Sequence, residues 1–261
     1  MNHGVLPLKR KWHHHSSLRL GAVAVSYQPF SLDYSKQYPD QNADGWPEEC
    51  TIYSQTEVCQ DEDNALYDRV WLRQWTDFIS GQSQGPYDVE DSIRAVCVYG
   101  PRQDAPHRGY PVWLDRQPGM DFFDSAIALM QQTRCALSIV SPWLPAFEEA
   151  PGGIMPAVPS TWPATAPGHN HVGDGLQLVN GEPAISDKSW QGTDWGTGGR
   201  CFWDRAAFNA LMEIPGAGAF ILMPYDGSIR CLQTQIVYRL QILIRLYQRQ
   251  LAQFAGIKPA L

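Results

Sequence analysis

Residues 40–50 read Asp40-Gln41-Asn42-Ala43-Asp44-Gly45-Trp46-Pro47-Glu48-Glu49-Cys50, a polar loop that ends on a cysteine. Apolar residues then recur at helical spacing, so Cys50 is predicted to open a helical block that runs to Ile79 and ends at Gly81. A helix N-terminus beside an imidazolium lowers the pKa of a thiol from about 8.5 into the range ~3.5–7.5. Cys50 is therefore a candidate nucleophile.

A histidine-containing segment far along the chain supplies the base that such a nucleophile needs. It is followed by Gly-rich and Trp-rich motifs, and the run in order is Gly168-His169-Asn170, Asn180-Gly181-Glu182-Pro183, Ser189-Trp190-Gln191-Gly192, Trp195-Gly196 and Gly199. His169 is the candidate base in a Cys–His pair. The Gln41 side chain and the backbone N–H of Cys50 are candidate donors to the oxyanion of a tetrahedral intermediate.

The order of these motifs resembles that of the papain-like (C1-type) cysteine peptidases, in a divergent bacterial or phage-type form, over about residues 31–212. The resemblance implies an α+β fold, in which a helical half that begins with the cysteine helix packs on an antiparallel β half. It also implies Cys50 as nucleophile, His169 as base, Gln41 as oxyanion donor, and Trp190 and Trp195 as supporting residues. No cofactor and no metal ion are expected.

The sequence departs from the family at the residue that orients the histidine. The family's Lys-Asn-Ser-Trp appears here as Asp187-Lys188-Ser189-Trp190, and a lysine offers only hydrogen-bond donors. Asp187 is instead predicted to accept from Nδ1–H of His169, provided that a one-residue slip of the strand points it inward. His171 lies two residues after His169, on the same strand face, and is an alternative base.

Two further departures concern the cysteine loop. Thr51 follows Cys50 where the family usually has an aromatic residue, and the loop between Gln41 and Cys50 is longer than is usual in the family. The leading hypothesis is a thiol hydrolase that cleaves peptide bonds through an acyl-enzyme on Cys50 and is anchored in a larger assembly. The alternatives are an inactive papain-like structural or adaptor subunit, for example of a phage virion or tail, and another Cys–His–acid hydrolase such as a cell-wall amidase.

Composition limits the classes of protein that the chain can represent. Its 261 residues are 44% hydrophobic and 18% charged, which suits one large globular domain and excludes a disordered polyelectrolyte. A net charge of −7 argues against a nucleic-acid partner, and six cysteines without a Cys-x-x-Cys pair argue against a zinc cluster. His13-His14-His15 is more typical of a solvated run than of a metal site.

The ends of the chain give expectations about location. Lys9, Arg10 and Lys11 are followed by polar residues, so no secretory signal is expected, and no apolar run is long enough to span a membrane. A cytoplasmic location, or a place in a phage particle, is therefore predicted.

The chain divides into an N-terminal arm (residues 1–38), a papain-like domain (39–227) and a C-terminal helix (228–261). The arm contains a possible strand at Leu20–Tyr27. The domain is predicted to contain two further helices, Asp88–Gly100 and Met120–Gln132. It is also predicted to contain four strands, Ala136–Val140, Leu176–Val179, Ala184–Ser186 and Ala219–Met223. Residues 142–167 contain seven prolines and are predicted to form an extended surface loop, either a simple insertion or a lid beside the cleft.

The C-terminal segment predicts a long amphipathic helix with Ser228 and Gly256 as start and stop signals. Its apolar residues recur at steps of three and four: Ile229, Leu232, Ile236, Leu240, Leu243, Tyr247, Leu251 and Phe254. The helix carries four arginines and no acidic residue, so a membrane surface, a protein partner, a homo-oligomer and docking on its own domain all remain open. A protein partner or a homo-oligomer is favoured because the apolar stripe is too wide for one groove, and a membrane partner is not expected.

Overall fold

The computed structural model describes residues 25–34, 37–41, 43–45, 48–103, 105 and 107–254. Most of the predicted strand Leu20–Tyr27 and the histidine run lie outside these residues, and residues 25–27 form no strand. The described chain instead begins its sheet at β1 (Phe30–Ser31).

Seven α-helices are formed by the described residues. They are α1 (Cys50–Asp63), α2 (Arg69–Ser80), α3 (Val89–Tyr99), α4 (Phe122–Thr133), α5 (Pro145–Glu149), α6 (Arg205–Glu213) and α7 (Ile229–Phe254). Aspartate side chains cap four of them by accepting from backbone N–H groups of the first turn: Asp68, Asp88, Asp121 and Asp204. The predicted start of α3 at Asp88, its stop at Gly100, and the extents of α4 and α7 agree with these bounds to within two residues.

The helical block after Cys50 is two helices, and the prediction of one continuous run to Ile79 was wrong. Asn64 adopts a left-handed conformation (φ 50°) that ends α1, and Asp68 caps the start of α2. Asparagine tolerates this conformation better than most side chains. Gly81 ends α2 in the same conformation, as expected.

The remaining strands form one antiparallel sheet. They are β2 (Arg108–Trp113), β3 (Leu137–Pro142), β4 (Gly168–Val179), β5 (Glu182–Lys188), β6 (Arg200–Asp204) and β7 (Gly218–Pro224), in the spatial order β2-β7-β3-β4-β5-β6, with β1 beside β4. Asn180 and Gly181 join β4 to β5 with positive φ at both positions, as a two-residue hairpin requires. The motifs that carry His169 and Lys188 therefore lie on neighbouring strands.

Two hydrophobic clusters cover opposite faces of the central strands. One is built with α4 and α6 and contains Ile139, Trp143 and Trp203. The other is built with α1 and α3 and contains Cys50 and Val172. Because side chains alternate along a strand, β4 and β5 send successive residues to the two clusters.

The first half of the Pro-rich segment is not the extended surface loop that was predicted. Pro145 starts the short helix α5, a position that proline tolerates because the N–H it lacks has no partner there. Trp143, Phe147, Ala150 and Met155 from this region are buried. The segment therefore contributes to the core beside β4.

Candidate active site

Cys50 is the first residue of α1, and its sulfur lies against strand β4. The backbone N–H of Asn170 donates to Cys50 Sγ at 3.3 Å, and the indole Nε1 of Trp190 donates to the Asn170 carbonyl at 2.7 Å. The N-terminus of the helix favours a negatively charged sulfur at this place. The fold thus brings the predicted nucleophile to the backbone of the residue that follows His169.

A hydroxyl and an indole ring hold His169, the residue before Asn170. Its Nε2 lies 2.7 Å from Ser189 Oγ, and the centroid of its ring lies 4.2 Å from that of Trp143. His169, Ser189 and Trp143 are all buried. The hydrogen bond and the ring contact together fix the plane of the imidazole.

The contact that the structure shows for Asp187 is with His171, the alternative base, whereas the sequence predicted a pair with His169. The Asp187 carboxylate lies 2.6 Å from His171 Nδ1 and also accepts from the indole of Trp203, while His171 Nε2 lies 2.9 Å from Ser141 Oγ. Both ring nitrogens of His171 are therefore engaged by buried side chains. His171 is consequently a weaker candidate for the base than His169.

Strand geometry explains this pairing. His169 and His171 lie on one face of β4, as predicted, with ring centroids 5.9 Å apart and ring planes only 12° from parallel. Asp187 and Ser189 lie on the matching face of the neighbouring segment, and antiparallel pairing offers one of them to each histidine. No slip of the strand is needed to turn Asp187 inward.

Lys188 points away from both histidines because it lies between Asp187 and Ser189 in the alternation. Its ammonium contacts the Glu57 carboxylate on α1 and lies 2.9 Å from Asp33 Oδ1. The charge is fully buried with its partners. Lys188 therefore does not repel an imidazolium at the site.

The acids around Lys188 form a buried ionic cluster, which we define as Asp33, Glu57, Asp61, Asp174, Lys188 and Arg200. Arg200 bonds to Asp174 at 2.8 Å and contacts Asp33. Asp33, Glu57 and Asp61 lie close enough to share a cation, but the Lys188 ammonium already lies between two of them. Burial, and then the neighbouring Glu57, raise the pKa of Asp61 to about 9.

Gln41 is buried, and its backbone N–H donates to the Trp190 carbonyl at 3.1 Å. A bridge between Asp40 and Gln191 fixes the same two segments side by side. Trp195 lies further along, where its indole donates to the Phe147 carbonyl at 2.9 Å and its ring packs beside Trp143. The oxyanion role of Gln41 stays a prediction.

Glu49, which sequence reasoning overlooked, immediately precedes Cys50 and is the N-cap residue of α1. Burial raises the pKa of this carboxyl to about 7, and Arg73, at 3.0 Å, opposes the rise. A negative charge at a helix N-terminus would compete with a thiolate for the same helix dipole. The raised pKa reduces this competition near neutral pH.

Ser189 is the other site residue that sequence reasoning missed. Alignment of the family's Lys-Asn-Ser-Trp-Gly on the tryptophan places Lys188 at the asparagine. Alignment on the lysine and the glycine instead, against Lys188-Ser189-Trp190-Gln191-Gly192, needs no gap and puts Ser189 at the asparagine. The position of Gly192 was the available signal.

Comparison with known proteins agrees with this architecture. No family model matches the sequence, and no curated protein matches it. Among solved structures, procathepsin B S9 from Trypanosoma congolense is similar, with a TM-score of 0.64, 14% identity, and coverage of 86% of this chain and 87% of that one. Xylellain, a cysteine protease from Xylella fastidiosa, has a TM-score of 0.60 and 12% identity over 86% of this chain and 96% of that one.

Procathepsin L2 proteinase from the larval midgut of Tenebrio molitor has a TM-score of 0.61 and 16% identity, with 85% of this chain and 78% of that one covered. At these identities the likeness establishes the fold. The chain has the α+β fold of the papain-like cysteine proteases, and that prediction is confirmed.

Proposed function

We propose that this protein is a thiol hydrolase that cleaves peptide bonds through an acyl-enzyme on Cys50, with His169 as the base. The observation that carries the proposal is the hydrogen bond from Asn170 N–H to Cys50 Sγ, because it joins the start of α1 to the residue beside His169. The Ser189 hydroxyl at Nε2 of His169 supports it, since a base must be held in one tautomer to exchange a proton repeatedly.

In the proposed reaction, the Cys50 thiolate attacks the carbonyl carbon and its electron pair forms the carbon–sulfur bond. His169, protonated by the thiol, gives its proton to the leaving amine as the carbon–nitrogen bond breaks. His169 then takes a proton from water, the hydroxide attacks the thioester, and the sulfur leaves as thiolate with the free acid as product. We assign the proton exchange with sulfur to Nδ1, because Ser189 engages Nε2.

Cys50→Ala in the full chain tests this proposal against a fluorogenic peptide library and a thiol-directed acyl probe. We expect turnover and labelling by the wild type and the loss of both in the variant. Cys135→Ala is the matched control, because Cys135 is equally buried but lies in the cluster of the other sheet face. Turnover that survives in Cys50→Ala, or a wild type that neither turns over nor labels, would contradict the proposal.

A second candidate is a catalytically inactive papain-like subunit of a larger structure, for example a phage virion or tail. Full burial of the Cys50, His169 and Gln41 side chains favours it, because a substrate needs access to the sulfur. The absence of labelling after long incubation, with a folded wild type, would support this candidate. A hydrolase that acts on purified peptidoglycan but on no peptide of the library would support a cell-wall amidase instead.

A further inference from the structure

Helix α7 is fixed to its own domain along one face. Arg249 Nη2 donates to the Ile79 carbonyl at 2.7 Å, Arg94 Nε to Gln241 Oε1 at 3.0 Å, and Arg245 pairs with Asp91. Ile242 is buried against α3. The direction and rotation of α7 are therefore set before any partner arrives.

Within the described residues, no helix, α7 included, has the length and apolar character that a membrane span requires.

The opposite face of α7 is apolar and exposed over the whole helix. Exposure of its members runs from 47% for Leu232 to 90% for Phe254. We define the outer stripe as Ile229, Leu232, Ile236, Leu240, Leu243, Tyr247, Leu251 and Phe254. Val237 and Ile244 widen it along one edge. Contiguous exposed apolar surface of this extent marks an interaction site.

The intervals between successive residues of the outer stripe read the same from either end of the helix. Its steps are three, four, four, three, four, four and three residues, centred between Gln241 and Ile242. A two-fold axis at that centre would place two copies of α7 antiparallel. The apolar residues would then meet as Ile229 with Phe254, Leu232 with Leu251, Ile236 with Tyr247, and Leu240 with Leu243. We propose that the outer stripe binds a second copy of this chain in that arrangement.

Charge agrees with a second copy as the occupant. Helix α7 contains no acidic residue, and three of its arginines, Arg230, Arg245 and Arg249, are half-buried in contacts with the domain. Arg239 is exposed at the stripe's edge, and the two-fold axis would offset it from its counterpart by five residues, ~7.5 Å along the helix. Uncharged glutamines, such as Gln248 and Gln250, flank the stripe elsewhere. Two copies can therefore meet without direct contact between like charges.

The size of the stripe suits a stable two-fold interface. Each apolar side chain exposes on the order of 100 Å², so the stripe with its two edge residues offers on the order of 1,000 Å². A standard protein interface uses about 800 Å² per partner. An isologous contact through one patch also closes at two copies, which leaves no free stripe on the dimer.

Sedimentation equilibrium of the full chain tests the dimer. We expect the wild type to dimerise at micromolar concentration and Leu240→Glu to raise the dissociation constant at least 100-fold. Leu240 is half exposed in the monomer, so the substitution leaves the fold intact, which circular dichroism checks. Gln248→Glu adds the same charge beside the stripe and is the matched control. A wild type that stays monomeric, or dimers that survive Leu240→Glu, would overturn the proposal.

Cysteine cross-linking tests the register, and it has a low background because all six native cysteines are buried. A mixture of Leu232→Cys and Leu251→Cys chains is expected to form a mixed disulfide dimer under mild oxidation. Leu232→Cys alone should not cross-link, because antiparallel pairing leaves its two copies ~28 Å apart along the helix. Cross-linking of Leu232→Cys with itself, or binding of monomers to anionic phospholipid vesicles in place of dimerisation, would refute the arrangement.

Discussion

Ser189→Ala removes the hydroxyl that holds His169 and leaves the rest of the site in place. The lost contact is a buried hydrogen bond of 2.7 Å. Such a bond contributes about 0.5–1.5 kcal/mol, and a buried ring nitrogen left without a partner costs about 1–3 kcal/mol. If about 1–3 kcal/mol of this is felt in the transition state, kcat/KM falls ~5- to 150-fold at 1.36 kcal/mol per factor of ten.

The assay is kcat/KM on the best library peptide, with the pH dependence of Cys50 alkylation as a second readout. A loosened imidazole should change the pH profile of alkylation, whereas a general loss of stability should lower its rate at every pH. Ser186→Ala removes a buried hydroxyl of β5, three residues before Ser189, that contacts Arg200 instead of His169, and is the matched control. Asp187→Asn should affect kcat/KM less than Ser189→Ala does, because Asp187 contacts His171. A Ser189→Ala enzyme within twofold of the wild type would refute the assignment of Ser189 as a positioning residue.

Three further predictions concern stability and access to the site. The Tm of the wild type should fall as the pH rises from about 4 toward about 9, the pKa of Asp61 in the folded state. The reason is that the folded state keeps a proton on Asp61 that the unfolded chain releases in this range. Asp61→Asn has no such proton and should flatten the decline. Lys188→Met leaves the buried carboxylates of Asp33 and Glu57 without their ammonium. Calorimetry should show that the free energy of unfolding falls by about 3–5 kcal/mol, or the Tm by ~6–20 °C. A fall below about 1 kcal/mol would contradict the ionic cluster as described. Trp162, in the Pro-rich segment, packs against both hydrophobic clusters. Trp162→Ala should therefore raise the rate of Cys50 labelling by iodoacetamide on the order of tenfold. An unchanged rate would show that this segment does not cover the sulfur.

The sequence predicts most of the fold because its local signals agree with one another. Asp88 and Gly100 bound α3, Gly81 ends α2, and the Asn180-Gly181 pair makes the hairpin that joins β4 to β5. The break at Asn64 was missed because the apolar spacing continues across it. The burial of Phe147 was also missed, since a high density of proline conceals a short helix that starts on one.

The sequence supplied the candidate residues of the site, and the structure shows how their neighbours pair with them. Cys50 and His169 carry motif and spacing signals, so both could be identified without coordinates. The partner of His169 could not, because a one-residue difference in alignment decides whether Lys188 or Ser189 stands at the asparagine. Side-chain alternation, which only the pairing of β4 with β5 settles, sends Lys188 to the ionic cluster and Ser189 to the imidazole.

The side chains of Asp187, Lys188 and Ser189 point alternately to the two faces of the sheet. The number of residues in this segment therefore decides which side chain reaches which environment, as much as their identity does. Deleting or adding one residue ahead of Asp187 would turn the Lys188 ammonium toward the histidines. It would also bring the Asp187 carboxylate into the buried ionic cluster, beside other carboxylates. Both environments would fail at once, although every residue type would still be present. Replacement of one member disturbs one of the two environments, whereas a change in the number of residues disturbs both.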